Sequence, residues 1–521
     1  MKPPVQKLIL TAGTMLALTL AGAPSYAAER PLTLTEAIDL ALQKNEGLKS
    51  EREGLAAARA AVGGASGAYD PLLEIDGGLS RLNEPVNSAL SGATSGQIAP
   101  ESKSAEGGVA IHQLLPTGGA LSLRGRGARD KTDGVFARLS PAYSSQAGVE
   151  LRQPLLRDRG IDAARLSVRV AKAGRSQADA SLRRVLTETV AAVEQAFWAL
   201  TAARQGVAVR EEAVRLAQEQ LGETQTRAQS GAVPETELAQ PRAELERRQS
   251  DLFASREAVA RAQNTLKLLI LTDTDEDLWS AQIAPAESAA VAVTPVDVAG
   301  SLQRALAARP ELVAAQAVVD RRHAETSYAQ NGVWPALDAV ASYDRFGLAG
   351  SRNPAGPSDP LPAKLDGNLS RSFETLGDGD FDAARIALVL SLPIRNRAAR
   401  ADAAIARHVE RQAENDLIRV RKVIRAEVLD AASALETAGQ RIEATRAGRE
   451  AAEIQLSAER DRYSTGLSTN FLVLTRQNDL SRARLDEISA LTDYRMARAE
   501  MARATGSLMD ERGIHVDDTR R

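Results

Sequence analysis

Cysteine is absent from the 521-residue chain. That excludes disulfides, thiolate metal sites and a lipid-carrying cysteine at a mature N-terminus. Aromatic residues make up only 3%, and the four histidines, His112, His323, His408 and His515, are scattered with none at metal-ligand spacing. Past the N-terminal region no run is apolar enough to span a bilayer as a helix, so a membrane role needs a β-barrel or the surface. There is no P-loop, and Gly125-Arg-Gly127 lacks the strand-to-helix setting of a nucleotide fingerprint. No catalytic constellation stands out, so neither an enzyme nor a cofactor or metal is expected.

What is present begins with an export signal. Lys2 and Lys7 precede an apolar run from Leu8 to about Ala23 and then Pro24-Ser25-Tyr26-Ala27-Ala28, so residues 1–27 read as a secretory signal peptide. The run is shorter than a spanning anchor needs. Removing it takes two of the 65 basic residues and none of the 68 acidic ones, leaving a net charge of −5. That mild acidity argues against a nucleic-acid partner. The Arg395-Asn-Arg397-Ala-Ala-Arg400 run is read as a charged entry to a helix instead.

The chain repeats itself. A shift of 264 sets Ala37-Ile-Asp-Leu-Ala-Leu42 on Ser301-Leu-Gln-Arg-Ala-Leu306 and Pro71 on Pro335; a shift of 235 sets Arg227 on Arg462 and Gly231 on Gly466. Between them Gln153-Pro154-Leu155 matches Leu392-Pro393-Ile394. A tandem duplication is expected: a first repeat over 28–272, a linker over 273–296, a second repeat over 297–507 and a polar tail over 508–521. In the linker, Asp273, Asp275, Glu276 and Asp277 fit a cation site or a solvated strap, and the strap is the expected reading.

Each repeat opens with short helices, 35–65 and 298–332, with Thr35 as the expected N-cap of the first and Pro310 in a first turn. The periodicity then alternates, over 71–154 and 335–393. In Ser145–Gln153, Ala147, Val149 and Leu151 oppose Gly148, Glu150 and Arg152; in Arg385–Pro393, Ile386, Leu388 and Leu390 share one face. Leu72–Ser80 and Ala336–Arg345 are the partner strands. One apolar and one charged face suit a strand with lipid outside and water inside, which makes Glu150 and Arg152 barrel-lumen candidates. A soluble sheet on a core would alternate in the same way. Tyr69, Phe136, Tyr143, Trp334, Tyr343, Phe346, Phe373 and Phe381 lie in or beside these segments, as an interfacial girdle requires. The stretches 81–105 and 347–380 read as exposed loops. The first repeat has 25 extra positions here, read as a hairpin of Gly107–Leu115 and Ala120–Gly127 about Pro116-Thr117-Gly118-Gly119.

Long helical hairpins close each repeat, over 157–270 and 396–506. Steps of seven from Leu186 give Val193, Leu200, Val207, Val214, Leu221 and Ala228, and the matching phase gives Val428, Leu435, Ile442, Arg449, Leu456 and Tyr463. A strict heptad means left-handed coiled-coil packing. A helix from about 160 to 229 would be roughly 105 Å long, too slender to bury a core alone. Arg227-Ala-Gln-Ser-Gly231 and Arg462-Tyr-Ser-Thr-Gly466 are the reversals, each ending on a glycine able to take the left-handed conformation.

These motifs, in this order and duplicated, resemble the TolC-like outer-membrane efflux proteins. The resemblance rests on Leu34-Thr-Glu-Ala-Ile-Asp-Leu-Ala-Leu42, Gln153-Pro-Leu-Leu-Arg157, Arg309-Pro-Glu-Leu312, Gly379-Asp-Phe381, Ser391-Leu-Pro-Ile-Arg-Asn-Arg397, Tyr463-Ser-Thr-Gly466, Ala483-Arg484 and Ala504-Thr-Gly506. It implies a mixed α/β membrane protein: an outer-membrane β-barrel and a long periplasmic α-barrel of coiled-coil hairpins, shared in a homotrimer. It also implies a passive exit duct for an inner-membrane pump, joined through a periplasmic adaptor, in a tripartite efflux or type I secretion system.

The same resemblance makes Gly231, Ala232, Val233, Gly466, Leu467, Ser468 and Asn470 the periplasmic tip and adaptor contact. Some members narrow the entrance with carboxylates after the second turn, where this chain has Leu472 and Thr475. Glu237, which aligns with Leu472, is the acidic entrance candidate, against the plainer reading of a helix-start glutamate favoured by the dipole. The rival reading is a periplasmic or surface coiled-coil scaffold or adhesin stalk without a pore.

Overall fold

The computed structural model describes residues 29–85, 87, 92–94, 97–287 and 292–514. The expected signal segment, His515 and the tail beyond residue 514 lie outside the described residues. In chain order the elements are β1 (Glu29–Leu32), α1 (Leu34–Lys44), α2 (Glu46–Ser66), β2 (Leu72–Leu82), β3 (Ser102–Leu114), β4 (Ala120–Thr132), β5 (Leu139–Pro154), α3 (Ala163–Gln229), α4 (Ala239–Ile270), α5 (Glu276–Ser280), β6 (Gln282–Pro285), α6 (Val298–Ala308), α7 (Pro310–Asn331), β7 (Ala336–Arg352), α8 (Leu369–Asp378), β8 (Asp382–Ser391), α9 (Arg397–Ser464), α10 (Asn470–Thr505) and α11 (Leu508–Glu511). They divide into two compact units, one of residues up to 45, 192–293 and 438–496, the other of 46–191, 294–437 and 497 onward.

The first unit is built on the heptads. Val193, Leu200, Val214, Ile442 and Leu456 are buried, whereas Val207, Leu221, Ala228 and Tyr463 are half-buried. The one charged heptad position, Arg449, is accommodated by ion pairs to Glu487 (2.6 Å) and Glu453 (2.9 Å). With 67 and 68 residues, α3 and α9 each reach about 100 Å.

Two local expectations change here. The N-cap of α1 is Thr33, not Thr35: its hydroxyl accepts the Glu36 N–H and the Glu36 carboxylate accepts the Thr33 N–H, a reciprocal box that leaves Thr35 inside the helix. The linker is docked rather than a free strap as far as residue 285. Its β6 pairs in parallel with β1, and the buried Lys267 ammonium donates to the Trp279 and Ala281 carbonyls. Asp275 accepts from Lys44 at 2.7 Å and from Thr272, which holds its carboxyl down at about 2. Asp275 is thus engaged within the fold, whereas Asp273, Glu276 and Asp277 are exposed, and no group of three or more metal-ligating side chains occurs among the described residues.

The second unit holds a six-stranded antiparallel sheet in the order β2-β3-β4-β5-β7-β8. The extra 25 residues do form a hairpin, β3 and β4, about a turn where Gly118 takes φ 86° and Leu115 and Gly119 close the chain. The strands outrun their sequence pattern: β2 extends to Leu82 and β7 to Arg352.

Register aligns one apolar face across all six strands. Ile75, Val109 and Gly125 meet in one row, Ile111, Leu123, Val149, Tyr343 and Ala384 in another, and Ile386 and Leu388 carry the same face further along β8. Ile75 is 71% exposed and Ile386 89%, so on the edge strands β2 and β8 this face has no protein cover among the described residues. A sheet packed on its own core does not leave such residues bare. The 347–380 stretch is not wholly loop: α8 sits between β7 and β8, capped by Asn368 and ended by Gly379 at φ 75°. It rests on the same face, where Ser372 bonds Ser145 and a side chain at Gly347 would strike the helix.

Candidate functional site

The two hairpin reversals are the same construction. After α3 the Gly231 N–H bonds the Ala228 carbonyl and the Ala232 N–H bonds that of Arg227; after α9 the Gly466 N–H bonds Tyr463 and the Leu467 N–H bonds Arg462. Both are Schellman caps, and both glycines are left-handed, at φ 73° and 79°. Nothing lies within 4 Å of a Cβ built on either, so glycine is there for its backbone conformation alone.

The tips are joined. The Arg227 guanidinium lies 4.4 Å from the centre of the Tyr463 ring, while Glu223 holds the same guanidinium at 2.9 Å. Such a stacked cation contributes roughly 0.5–2 kcal/mol. Just above, Arg248 is buried on α4, paired to Glu244 and donating to Asn478 of α10 at 3.2 Å. Burial works against the Glu244 charge, but bonds from Arg247 and Arg248 outweigh it and hold the carboxyl below its usual range.

Of the sequence-expected tip residues, Gly231, Ala232, Gly466 and Leu467 are exposed and Val233 is half-buried. Ser468 donates to Glu459 at 2.5 Å, and Asn470, the first residue of α10, is buried. Glu237 is exposed in a short 3-10 turn; Leu472 is exposed and Thr475 donates to the Phe471 carbonyl. Phe471 escaped the sequence reading, though it is one of only seven phenylalanines in the chain and follows a reversal directly. With Leu467 81% and Phe471 59% exposed, the second tip presents bare apolar surface.

The other expected site is the polar face of the sheet. Glu150 and Arg152 both lie on it: Arg152 pairs with Asp338 (2.5 Å), and Glu150 approaches Arg124 (3.7 Å), which is bound to Asp344 (2.9 Å). Gly148 lies against that Asp344 carboxylate, leaving no room for a side chain. Glu106 pairs with Arg126 on the same face. Phe346 also falls here, against the expected girdle, because its even position in β7 turns it from the apolar side. Of the histidines, His323 bonds Glu410 (2.8 Å) and His112 meets Ser122 (3.0 Å).

Comparison with known proteins agrees with this geometry. Among solved structures, the Campylobacter jejuni CmeC outer membrane channel superposes with a TM-score of 0.64 at 16% identity, over 99% of each chain. The outer membrane protein VceC of Vibrio cholerae gives 0.63 at 14%, over 91% of this chain and 96% of that one. The Neisseria gonorrhoeae MtrE outer membrane channel gives 0.61 at 17%, over 91% and 89%. No match is found among curated protein sequences. The family model for outer membrane efflux proteins matches residues 37–270 and 301–507, and the chain belongs to that family of outer-membrane channels.

Proposed function

We propose that three copies of the chain close one barrel and form a passive exit duct, fed by an inner-membrane pump through a periplasmic adaptor. The observation that carries this reading is the six-stranded sheet, bare and apolar on one face, charged on the other, whose edge strands β2 and β8 have no second neighbour among the described residues. Open edges cannot face lipid. Since β2 leaves the helices and β8 returns to them, β8 of one copy can continue antiparallel onto β2 of the next.

Three copies of six strands make eighteen, a cylinder about 35 Å across at the backbone and wide enough for an aqueous lumen. Glu150 and Arg152 would line it, in the ion-pair ladder with Arg124, Asp338 and Asp344. The adaptor would dock on the tips, at Gly231, Ala232, Val233, Gly466, Leu467, Ser468 and Asn470, with Leu467 and Phe471 as apolar anchors. Glu237 is then an acid near the entrance, beside the uncharged Leu472 and Thr475. Two separate matches of the family model support reading the halves as tandem copies. A coiled-coil stalk without a pore would give the bare face and open edges no role.

Purified protein added to a planar lipid bilayer should produce discrete conductance steps, and its detergent-corrected mass should be that of a trimer. Silent bilayers from folded protein, or a monomeric mass, would sink the reading.

A further inference from the structure

The apolar face of the sheet ends in a row of cations. On β2, β3 and β4 the face that carries Ile75, Leu79, Val109 and Leu123 finishes, at the end away from the long helices, with Arg81, Lys103 and Lys131. Register sets Arg81 directly opposite Lys103 and Lys103 directly opposite Lys131; Arg129 follows one pleat below. Like charges opposed across a ladder repel. The Arg81 and Lys103 side chains are 65% and 58% exposed, and Arg129 and Lys131 are exposed as well.

The protein answers this charge only in part. One Glu101 oxygen lies 2.7 Å from Arg81 and 3.0 Å from Lys103, and the Asp133 carboxylate nearby accepts the Glu101 N–H, so among the described residues two of the four cations have an ion pair and both share one carboxylate. Acids on the same strands, Asp76, Glu106 and Asp130, alternate onto the opposite face. Leu79, 88% exposed, stands about 7 Å along the strand from Arg81. A ligand that fits must set anionic groups beside the row and acyl chain beside the band below it. The row spans about 10 Å over three strands, room for two phosphates.

We propose that this row binds the phosphate groups of a phosphorylated glycolipid in the outer leaflet, and that the β3–β4 hairpin, which supplies Lys103 and Lys131, builds the site. The proposal rests on the barrel reading above, with this end of the strands outward.

The test uses the full-length protein in nanodiscs containing a bis-phosphorylated lipid A or its dephosphorylated form, with bound glycolipid counted by native mass spectrometry. Wild type should retain the phosphorylated lipid more than about tenfold over the other. The triple variant Arg81→Gln, Lys103→Gln, Lys131→Gln should lose that preference with mass and conductance unchanged, and Arg81→Lys should keep it. Equal retention of the two lipids by wild type, or a preference surviving in the triple variant, overturns the proposal. Displacement by millimolar inorganic phosphate would reassign the row to free phosphate and overturn the lipid source. Loss of conductance in wild type would instead mark failure of the barrel reading.

Discussion

Aspartate at both Gly231 and Gly466 is expected to abolish export while the channel still assembles. Both residues are left-handed with open space around them, so the substitution meets no neighbour and costs only the backbone penalty of about 1–2 kcal/mol per site, less for a short polar residue. The two Schellman caps keep their hydrogen bonds, because each uses main-chain atoms alone. Docking is another matter. If the adaptor docks there as proposed, a carboxylate carried into a desolvated contact beside Leu467 and Phe471 costs several kcal/mol and lowers affinity by more than about a hundredfold. Alanine at both positions carries the backbone strain without the charge, so export by that variant separates the two causes. Export of a cargo handled by the wild-type complex is the readout, with trimer mass as the control. Undiminished export in the double aspartate variant would remove the tips from the docking surface.

The second large effect is expected at Arg309. This residue is 4% exposed in the joint between α6 and α7, where it donates to both Glu311 oxygens at 2.8 Å and to the Ala504 carbonyl at 3.2 Å and forms an ion pair with Glu427 at 2.9 Å. Arg503 approaches the same Glu427 oxygen and pairs with Glu500. Burial opposes the Arg309 charge, but its carboxylate partners more than offset it and raise its pKa. Arg309→Met removes the buried cation and leaves the Glu311 carboxylate without its partner, which should cost about 3–5 kcal/mol. Urea unfolding followed by far-UV circular dichroism measures the loss, and a change under about 1 kcal/mol would contradict the assignment.

The acid limb of the same curve carries a sign. Burial works against the Glu311 charge, yet the Arg309 bonds hold its carboxyl below the usual value. Its contribution is therefore complete above the ordinary glutamate pKa of about 4.3 and disappears as pH falls through the lowered folded value. The methionine variant should lack that part of the acid dependence.

Much of the architecture is legible in the sequence, for identifiable reasons. Heptads from Leu186 and Val428 report the long helices because coiled-coil packing repeats one demand every seven residues. Gly231 and Gly466 report the reversals because a Schellman cap needs a left-handed residue. The added hairpin shows through Gly118-Gly119 and the alternation on either side. Elements held by one or two particular contacts do not announce themselves. Helix α8 lies in a stretch of loop-like composition, and only Asn368 and the Leu369, Phe373, Leu376 spacing mark it. The docking of β6 on β1 depends on a four-residue pairing too short for any pattern. Thr33 outcompetes Thr35 as a cap through Glu36, three residues on. The stack of Arg227 on Tyr463 joins residues far apart in the chain. After the first reversal the chain carries the exposed Glu235 and Glu237 and after the second the uncharged Leu472 and Thr475, so the acid expected there from the resemblance is not written into the second tip.

The most direct measurement of the shared barrel exploits the missing cysteines. With none in the native chain, cysteines placed at Leu79 on β2 and, in turn, at Ala384, Ile386 and Leu388 on β8 can form disulfides only where introduced. If β8 of one copy pairs with β2 of the next, oxidation of one of these pairs in membranes will produce a covalent ladder that stops at three chains, and either cysteine alone will not. Chains that stay monomeric for every pair, while still folded and inserted, would contradict the eighteen-stranded barrel.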